Sequence, residues 1–210
     1  QKARGVNPEG LTREDILAIH KSVMNDPLNP EKTGVLRNNP VIIRTKINGR
    51  LMNGPSVPPD PTFLSEYFNE FAGDLETKIR DLSDQTNVQE VLNVATWAHM
   101  KFAEIHPFED GNGRTARLMV DFIFRKARLP YVKDWGSIND EYKEAVYKTY
   151  DKKDYDIFKL FLAKKLESRF YEIGSRLTDK VEVSEGFRQY INERRDETKI
   201  IIKVLEKGVS

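Results

Sequence analysis

Apolar residues recur every three or four positions through most of the chain. Over residues 87–105 they fall at Val88, Val91, Leu92, Ala95, Ala98, Phe102 and Ile105, the spacing of an amphipathic helix. The same period predicts helices over 112–128, with Leu118, Met119, Phe122 and Ile123 inward, and over 154–173, with Ile157, Phe158, Phe161, Leu162 and Leu166 inward. Thr12 to Asp15 forms a capping box for a helix over 11–24, Pro61 suits the first turn of one reaching about residue 81, and another is expected over 138–150. One region is strand-like. Over 41–52, two β-rich segments flank Asn48-Gly49, the pair preferred in two-residue hairpin turns. The expected fold class is all-α with one small β-hairpin. Three segments are expected: an N-terminal helical extension at 1–35, a central domain at 36–175, and a C-terminal helical segment at 176–210.

Composition narrows the function classes. With 39% hydrophobic and 32% charged residues, the chain has the balance of a soluble globular protein. Mean hydropathy is −0.60, no run of eighteen apolar residues exists, and the first ten residues lack a signal-peptide pattern, so no membrane span is expected. Zero cysteines exclude disulfides, thiol catalysis and cysteine-zinc sites. A net charge of +1 offers no general attraction to nucleic acid. A start at Gln1 without Met reads as a segment trimmed from a longer chain. The ending ETKIIIKVLEKGVS reads either as a packing helix or as the opening of a winged-helix module cut short.

The chemistry concentrates at 106–117, HPFEDGNGRTAR. Pro107 drives His106 out of the α region, so the first long helix ends and carries an imidazole onto the following loop. Because both flanks have helical spacing, Asn112-Gly113 joins two helices instead of turning a hairpin. A glycine-bearing loop entering a helix N-terminus presents unpaired N–H groups at the positive end of the dipole, which suits phosphate oxygens. Gly111 and Gly113 allow close approach, while Arg114 and Arg117, at i and i+3, reach from one helix face toward a polyphosphate. Asp110 is a hard oxygen ligand for Mg²⁺. His106, with an ordinary pKa of roughly 6.5, is the natural general base.

Blander roles exist for each part. Arg117 could pair with Asp121 at i+4, Asp110-Gly111 and Asn112-Gly113 are ordinary turn residues, and Phe108 packs under either reading. His99 reads as a hydrogen-bonded structural residue, and His20 shows no partner. Base, metal ligand, anion nest and two cations in one loop favour the catalytic reading.

The run also matches the motif HxFx(D/E)GNGRxxR at every specified position, and so resembles the Fic family. SVPPDP upstream, His99 and Tyr142 extend the resemblance over most of residues 36–161. It implies transfer of AMP from ATP to a Ser, Thr or Tyr hydroxyl of a target protein, with release of pyrophosphate. By the same resemblance His106 would be the base, Phe108 the loop anchor, and Asp110 the Mg²⁺ ligand. Gly111, Asn112 and Gly113 would cradle the phosphates, Arg114 the leaving diphosphate, Arg117 the γ-phosphate, and Tyr142 the adenine pocket. The hairpin would be a flap at 41–57 that aligns the target by main-chain pairing, with Ile47, Leu51 and Met52 as its clamp.

Many family members carry an inhibitory helix, (S/T)xxxE(G/N), whose Glu occupies the second motif arginine. No window here fits. Glu9-Gly10 and Glu185-Gly186 are near misses, with Gly5 and Val181 where Ser or Thr belongs; Glu185 is the better candidate. A carboxylate on Arg117 would compete with the γ-phosphate for one guanidinium. The same fold also accommodates AMP removal, transfer of UMP, phosphocholine or phosphate, or a non-catalytic role in regulation or a toxin–antitoxin pair. ATP and a target protein are the expected partners, with self-modification and homo-oligomers open. The expected location is the cytoplasm, its own or that of a cell into which it is delivered.

Overall fold

Helix boundaries follow the capping chemistry of the chain. The computed structural model describes residues 10–24, 30–54, 56–132, 135, 140–178 and 184–209. Helix α1 (Arg13–Met24) opens on a reciprocal cap: Asp15 N–H donates to Thr12 Oγ1 at 3.2 Å and Thr12 N–H to the Asp15 carboxylate at 3.0 Å. In α2 (Pro61–Arg80) the Asp60 carboxylate accepts from Thr62 N–H at 2.8 Å, and Pro61 takes the first position, where no donor is missed. Asn87 caps α3 (Val88–Ile105) by accepting from Glu90 N–H at 2.8 Å. Helix α4 (Asn112–Lys126) has Gly111 at its N-cap and no side-chain cap. Helices α5 (Asp140–Lys152), α6 (Tyr155–Thr178) and α7 (Glu185–Gly208) complete the body, the last capped by Ser184.

Helix α3 is the centre, packed by α2, α4, α6 and α7. Val88, Val91, Leu92, Ala95, Ala98, Met100 and Phe102 are fully buried on it. Around them sit Phe68, Phe71, Phe108, Phe124, Phe158 and Phe170, each of which stabilises the core by roughly 1.5–3 kcal/mol on burial. Helix α7 closes the N-terminal end of α3. Its Glu197 accepts from Val88 N–H at 2.6 Å, and Arg194 donates to Thr86 O at 2.8 Å and to Asp84 O.

Strands β1 (Arg44–Ile47) and β2 (Arg50–Asn53) form the hairpin, antiparallel, with Thr45 opposite Met52 and Ile47 opposite Arg50. Asn48 (φ 48°) and Gly49 (φ 80°) both lie in the left-handed region, as a two-residue turn matched to strand twist requires. Strand β1 rests on α5.

Helix α6 continues to Thr178, across the boundary expected at 175/176. The charged stretch and the IIIKVL segment form one helix, α7, whose Ile191, Ile201, Ile202 and Leu205 are buried against the core. The boundary at 35/36 has no counterpart in the packing: Leu11 and Ile16 belong to the same buried cluster as α2, α3 and α4. The helical fold with one hairpin stands. No helix among the described residues is long and apolar enough to cross a membrane.

Candidate active site between α3 and α4

Pro107 has no N–H and cannot continue α3. His106 ends the helix in the left-handed region (φ 50°, ψ 59°), where its own N–H still reaches Phe102 O at 2.9 Å. The sequence reading put this residue outside the α region, where a residue before proline ordinarily becomes extended; the bond to Phe102 holds it left-handed instead. Its Nδ1 faces Ala103 O at 3.4 Å, which assigns the proton to Nδ1 and leaves the Nε2 lone pair as acceptor. Burial lowers the imidazole pKa below the ordinary histidine value, so the ring is neutral at neutral pH.

The next residues are locked from two sides. Phe108 is fully buried, stacked on the His20 ring at 3.6 Å and 10°, with Phe102 and Phe68 at 6.0 and 6.1 Å. Asn112 bonds the Phe108 main chain twice, accepting from its N–H at 3.0 Å and donating to its carbonyl at 2.8 Å. His20 accepts from Gly34 N–H at Nδ1 (2.8 Å) and therefore donates from Nε2 to Asp110 O (2.9 Å). It had no visible partner in sequence because that partner lies ninety positions away. At Gly111 the backbone is left-handed (φ 80°), and a Cβ would lie 2.6 Å from Met24 Sδ and 3.0 Å from His20 Nε2. Only glycine fits there.

Helix α4 then starts with its amides open. Thr115 N–H is the first to find its helical acceptor, Gly111 O at 2.9 Å; among the described residues no acceptor reaches the N–H groups of Asn112, Gly113 or Arg114. These donors and the helix dipole form an anion site. Asp110 takes Gly111 N–H at 2.6 Å with one oxygen and Arg114 at 3.1 Å with the other, and its side chain is 77% exposed. The Arg117 guanidinium lies over the Tyr142 ring at 5.1 Å, close to Gly113, where a Cβ would come within 3.3 Å of it. Tyr142 is buried and bonds His99 Nε2 at 2.9 Å. Burial holds His99 far down, to about 3, so it is a neutral structural ring stacked on Phe158 at 4.3 Å. Asp121 accepts from Val132 N–H at 2.9 Å and Trp135 Nε1 at 3.4 Å, which occupies the carboxylate that could have paired with Arg117.

These groups converge on a cavity of about 380 Å³. The motif supplies His106, Asp110, the three residues of the amide cradle, Arg114 and Arg117; α5 supplies Tyr142, Lys143 and Tyr147; the hairpin supplies Ile43, Arg44 and Thr45. Sequence reasoning missed Arg44 and Lys143, which add two cations to those of the motif. Of the expected flap at 41–57, the three residues expected to clamp the target, Ile47, Leu51 and Met52, do not line the cavity. Ile47 is only 8% exposed, Met52 is half-buried, and Leu51, opposite Lys46, is 67% exposed on the other face, because strand side chains alternate. The pairing expected between Glu185 and Arg117 is not made. Glu185 is exposed on the first turn of α7 and does not line the cavity. Glu9 lies outside the described residues.

The model of the Fic/DOC family matches residues 10–124, more than half of the chain. The chain belongs to the Fic/DOC family. That match begins before α1, in keeping with the contacts His20 and Met24 make to the loop. Among curated relatives, protein adenylyltransferase Fic of Drosophila mojavensis is 34% identical over 122 residues, 58% of this chain and 21% of that protein. The Nematostella vectensis protein of the same name is 33% identical over 124 residues, 59% of this chain and 25% of that one. The chain thus spans about a fifth to a quarter of the relatives it matches. Among solved structures, a Fic-1 fragment from C. elegans superposes with a TM-score of 0.63 at 25% identity, covering 82% of this Fic chain and 46% of its own. BepC from Bartonella tribocorum, solved with bound AMPPNP, shares the Fic fold at 18% identity, with a TM-score of 0.51 and coverage of 74% of each chain.

Proposed function

We propose that this Fic domain is a protein adenylyltransferase, transferring AMP from ATP to a Ser, Thr or Tyr hydroxyl of a target protein. Relatives of that name support the class of reaction. The observation that carries it is convergence: a neutral imidazole with a free Nε2 lone pair opens onto the same cavity as three unpaired helix amides and four cationic side chains.

His106 Nε2 takes the proton as the target hydroxyl oxygen bonds to the α-phosphorus. The bond from that phosphorus to the bridging oxygen breaks in line, and pyrophosphate leaves. The amides of Asn112, Gly113 and Arg114 hold the phosphate oxygens, while Arg114 and Arg117 neutralise charge on the leaving group. Tyr142, behind Arg117, orients that guanidinium and borders the space for the base. Most of the acceleration comes from positioning and preorganised charge. Mg²⁺ is the expected cofactor, and the donor set fits it: one exposed carboxylate, Asp110, stands beside an open phosphate cradle, as suits a cation that keeps its other ligands on water and phosphates. When bound, Mg²⁺ would neutralise phosphate charge. Asp110 would exchange its contact with Arg114 for it, freeing that guanidinium for the diphosphate. The hairpin would present the target's hydroxyl segment along β2, with Leu51 on the open side. Both substrates are found in a cytoplasm, the proposed location.

The test is incubation of the chain with Mg²⁺ and labelled ATP, UTP or a phosphocholine donor in parallel, with His106→Ala as control. Label from ATP alone, lost in the variant, is expected. Preference for another donor would overturn the assignment of AMP.

A further inference from the structure

We propose that Arg37 is the positioning residue of His106, a buried guanidinium that fixes the base against both ends of the hairpin. The inference rests on the role proposed for His106. Its starting point is the end of α3. A helix terminus leaves carbonyls without intrahelical donors, and a left-handed cap usually satisfies them with the N–H groups of the residues that follow. Here the residue after His106 is Pro107, which has no N–H, so that second bond cannot form. The donors come from Arg37. Its Nε donates to His106 O at 2.8 Å, Nη2 to Pro59 O at 2.8 Å and to Ile105 O at 3.5 Å, and Nη1 to Asn39 O at 2.9 Å. The Arg37 main-chain N–H adds a bond to Pro107 O at 2.9 Å.

Arg37 is 3% exposed, and its side chain hydrogen-bonds to carbonyls, with the Asp60 carboxylate acting on it only through its charge. A charge so buried is tolerated only where its donors are met, and the planar fork meets carbonyls on three separate segments at once. Lysine, with one ammonium, cannot span them. Asn39 precedes the hairpin and Pro59 follows it, so the side chain that holds the carbonyl of His106 also holds the two feet of the flap. Arg37 touches no reacting atom in the proposed chemistry; it acts through the backbone of the residue that does.

Its charge gives the role a signature. Burial is the main cause that lowers the His106 pKa and the Arg37 charge adds to it, while the bond to Ala103 O and the Asp110 charge oppose them. The other charged or titratable side chains facing the same cavity are Arg44, Arg114, Arg117 and Lys143, with the His99 imidazole and the phenols of Tyr142, Tyr147 and Tyr150. None of these is itself substituted in the Arg37 variants.

The experiment uses the full chain with Arg37→Met and Arg37→Lys, assayed below their melting temperatures. kcat and KM for ATP are measured, and the His106 imidazole is titrated by NMR. In Arg37→Met, kcat should fall about 100-fold, as a displaced base costs, with KM for ATP little changed because the phosphate cradle is intact. The His106 titration should move to higher pH. In Arg37→Lys the charge survives and the fork does not, so kcat should still fall about tenfold while the titration stays near wild type. If the methionine variant does not fold, the lysine variant carries the test alone. Unchanged kcat in a folded variant overturns the proposal, as does a loss confined to KM or a His106 titration unmoved in Arg37→Met. Absence of any transfer by the wild type would instead sink the proposed function, and the titration would still report on Arg37.

Discussion

Replacing Gly111 with alanine probes how the loop holds its shape. At φ 80° an alanine accepts a left-handed backbone at a cost of about 1–2 kcal/mol. The added Cβ would stand 2.6 Å from Met24 Sδ and 3.0 Å from His20 Nε2. Met24 is flexible and can yield, but His20 is pinned by Gly34, Asp110 and the Phe108 ring. Moving it weakens the bond to Asp110 O, worth about 1 kcal/mol. The sum is about 2–3 kcal/mol, which in a domain of this size lowers Tm by roughly 5–10 °C. Chemical denaturation and a thermal melt measure it. Adding Met24→Ala separates the causes: the double variant should be less destabilised than the sum of the singles by at least about 0.5 kcal/mol, since the contact is relieved and the φ cost stays. ATP should bind more weakly to Gly111→Ala, because the first amides of α4 move with the loop. A Gly111→Ala protein within about 0.5 kcal/mol of wild type, with unchanged ATP affinity, would refute the account of the loop.

Asn112→Ala should leave the buried Phe108 N–H without an acceptor and destabilise by about 1–3 kcal/mol; a melt that matches wild type would deny the Asn112 bonds their role. Burial lowers the pKa of all three histidines, His99 to about 3, so each contributes stability that is complete above the ordinary value near pH 6.5 and is lost as pH falls toward its folded pKa. Tm should therefore drop between pH 7 and pH 5, before ordinary carboxylates titrate. Asp121, whose carboxyl burial pushes up, works in the opposite sense. A Tm that is flat or rising over that range would contradict the histidine environments. Glu185→Gly should leave the rate of label transfer unchanged, since Glu185 is exposed and unpaired with Arg117; a rise in automodification would restore it as a brake.

Legibility in the sequence followed the range of the interaction. Helix α3 was readable because its buried residues repeat with the helical period, and the hairpin because Asn48-Gly49 encodes its own turn. The motif was readable because His106, Asp110, the cradle and both arginines lie within one loop and one helical turn. What had to be seen in space came from far along the chain. Arg37 reaches a carbonyl 69 positions away and His20 one 90 positions away, and neither pairing leaves a periodic or local mark. The hand of the backbone at His106 was equally hidden, because Pro107 excludes the α region without choosing between extended and left-handed alternatives. At the hairpin the turn was visible, but which stretch of it meets the cavity depends on how β1 rests on α5, and so Ile43, Arg44 and Thr45, around the start of β1, were found where Ile47, Leu51 and Met52 had been expected.

The most direct measurement places label on either end of the triphosphate. With Mg²⁺ and a protein acceptor, this chain should transfer label from α-labelled ATP and none from γ-labelled ATP, and His106→Ala should abolish the transfer while still binding ATP. Transfer from the γ-position, or full activity in His106→Ala, would contradict the account.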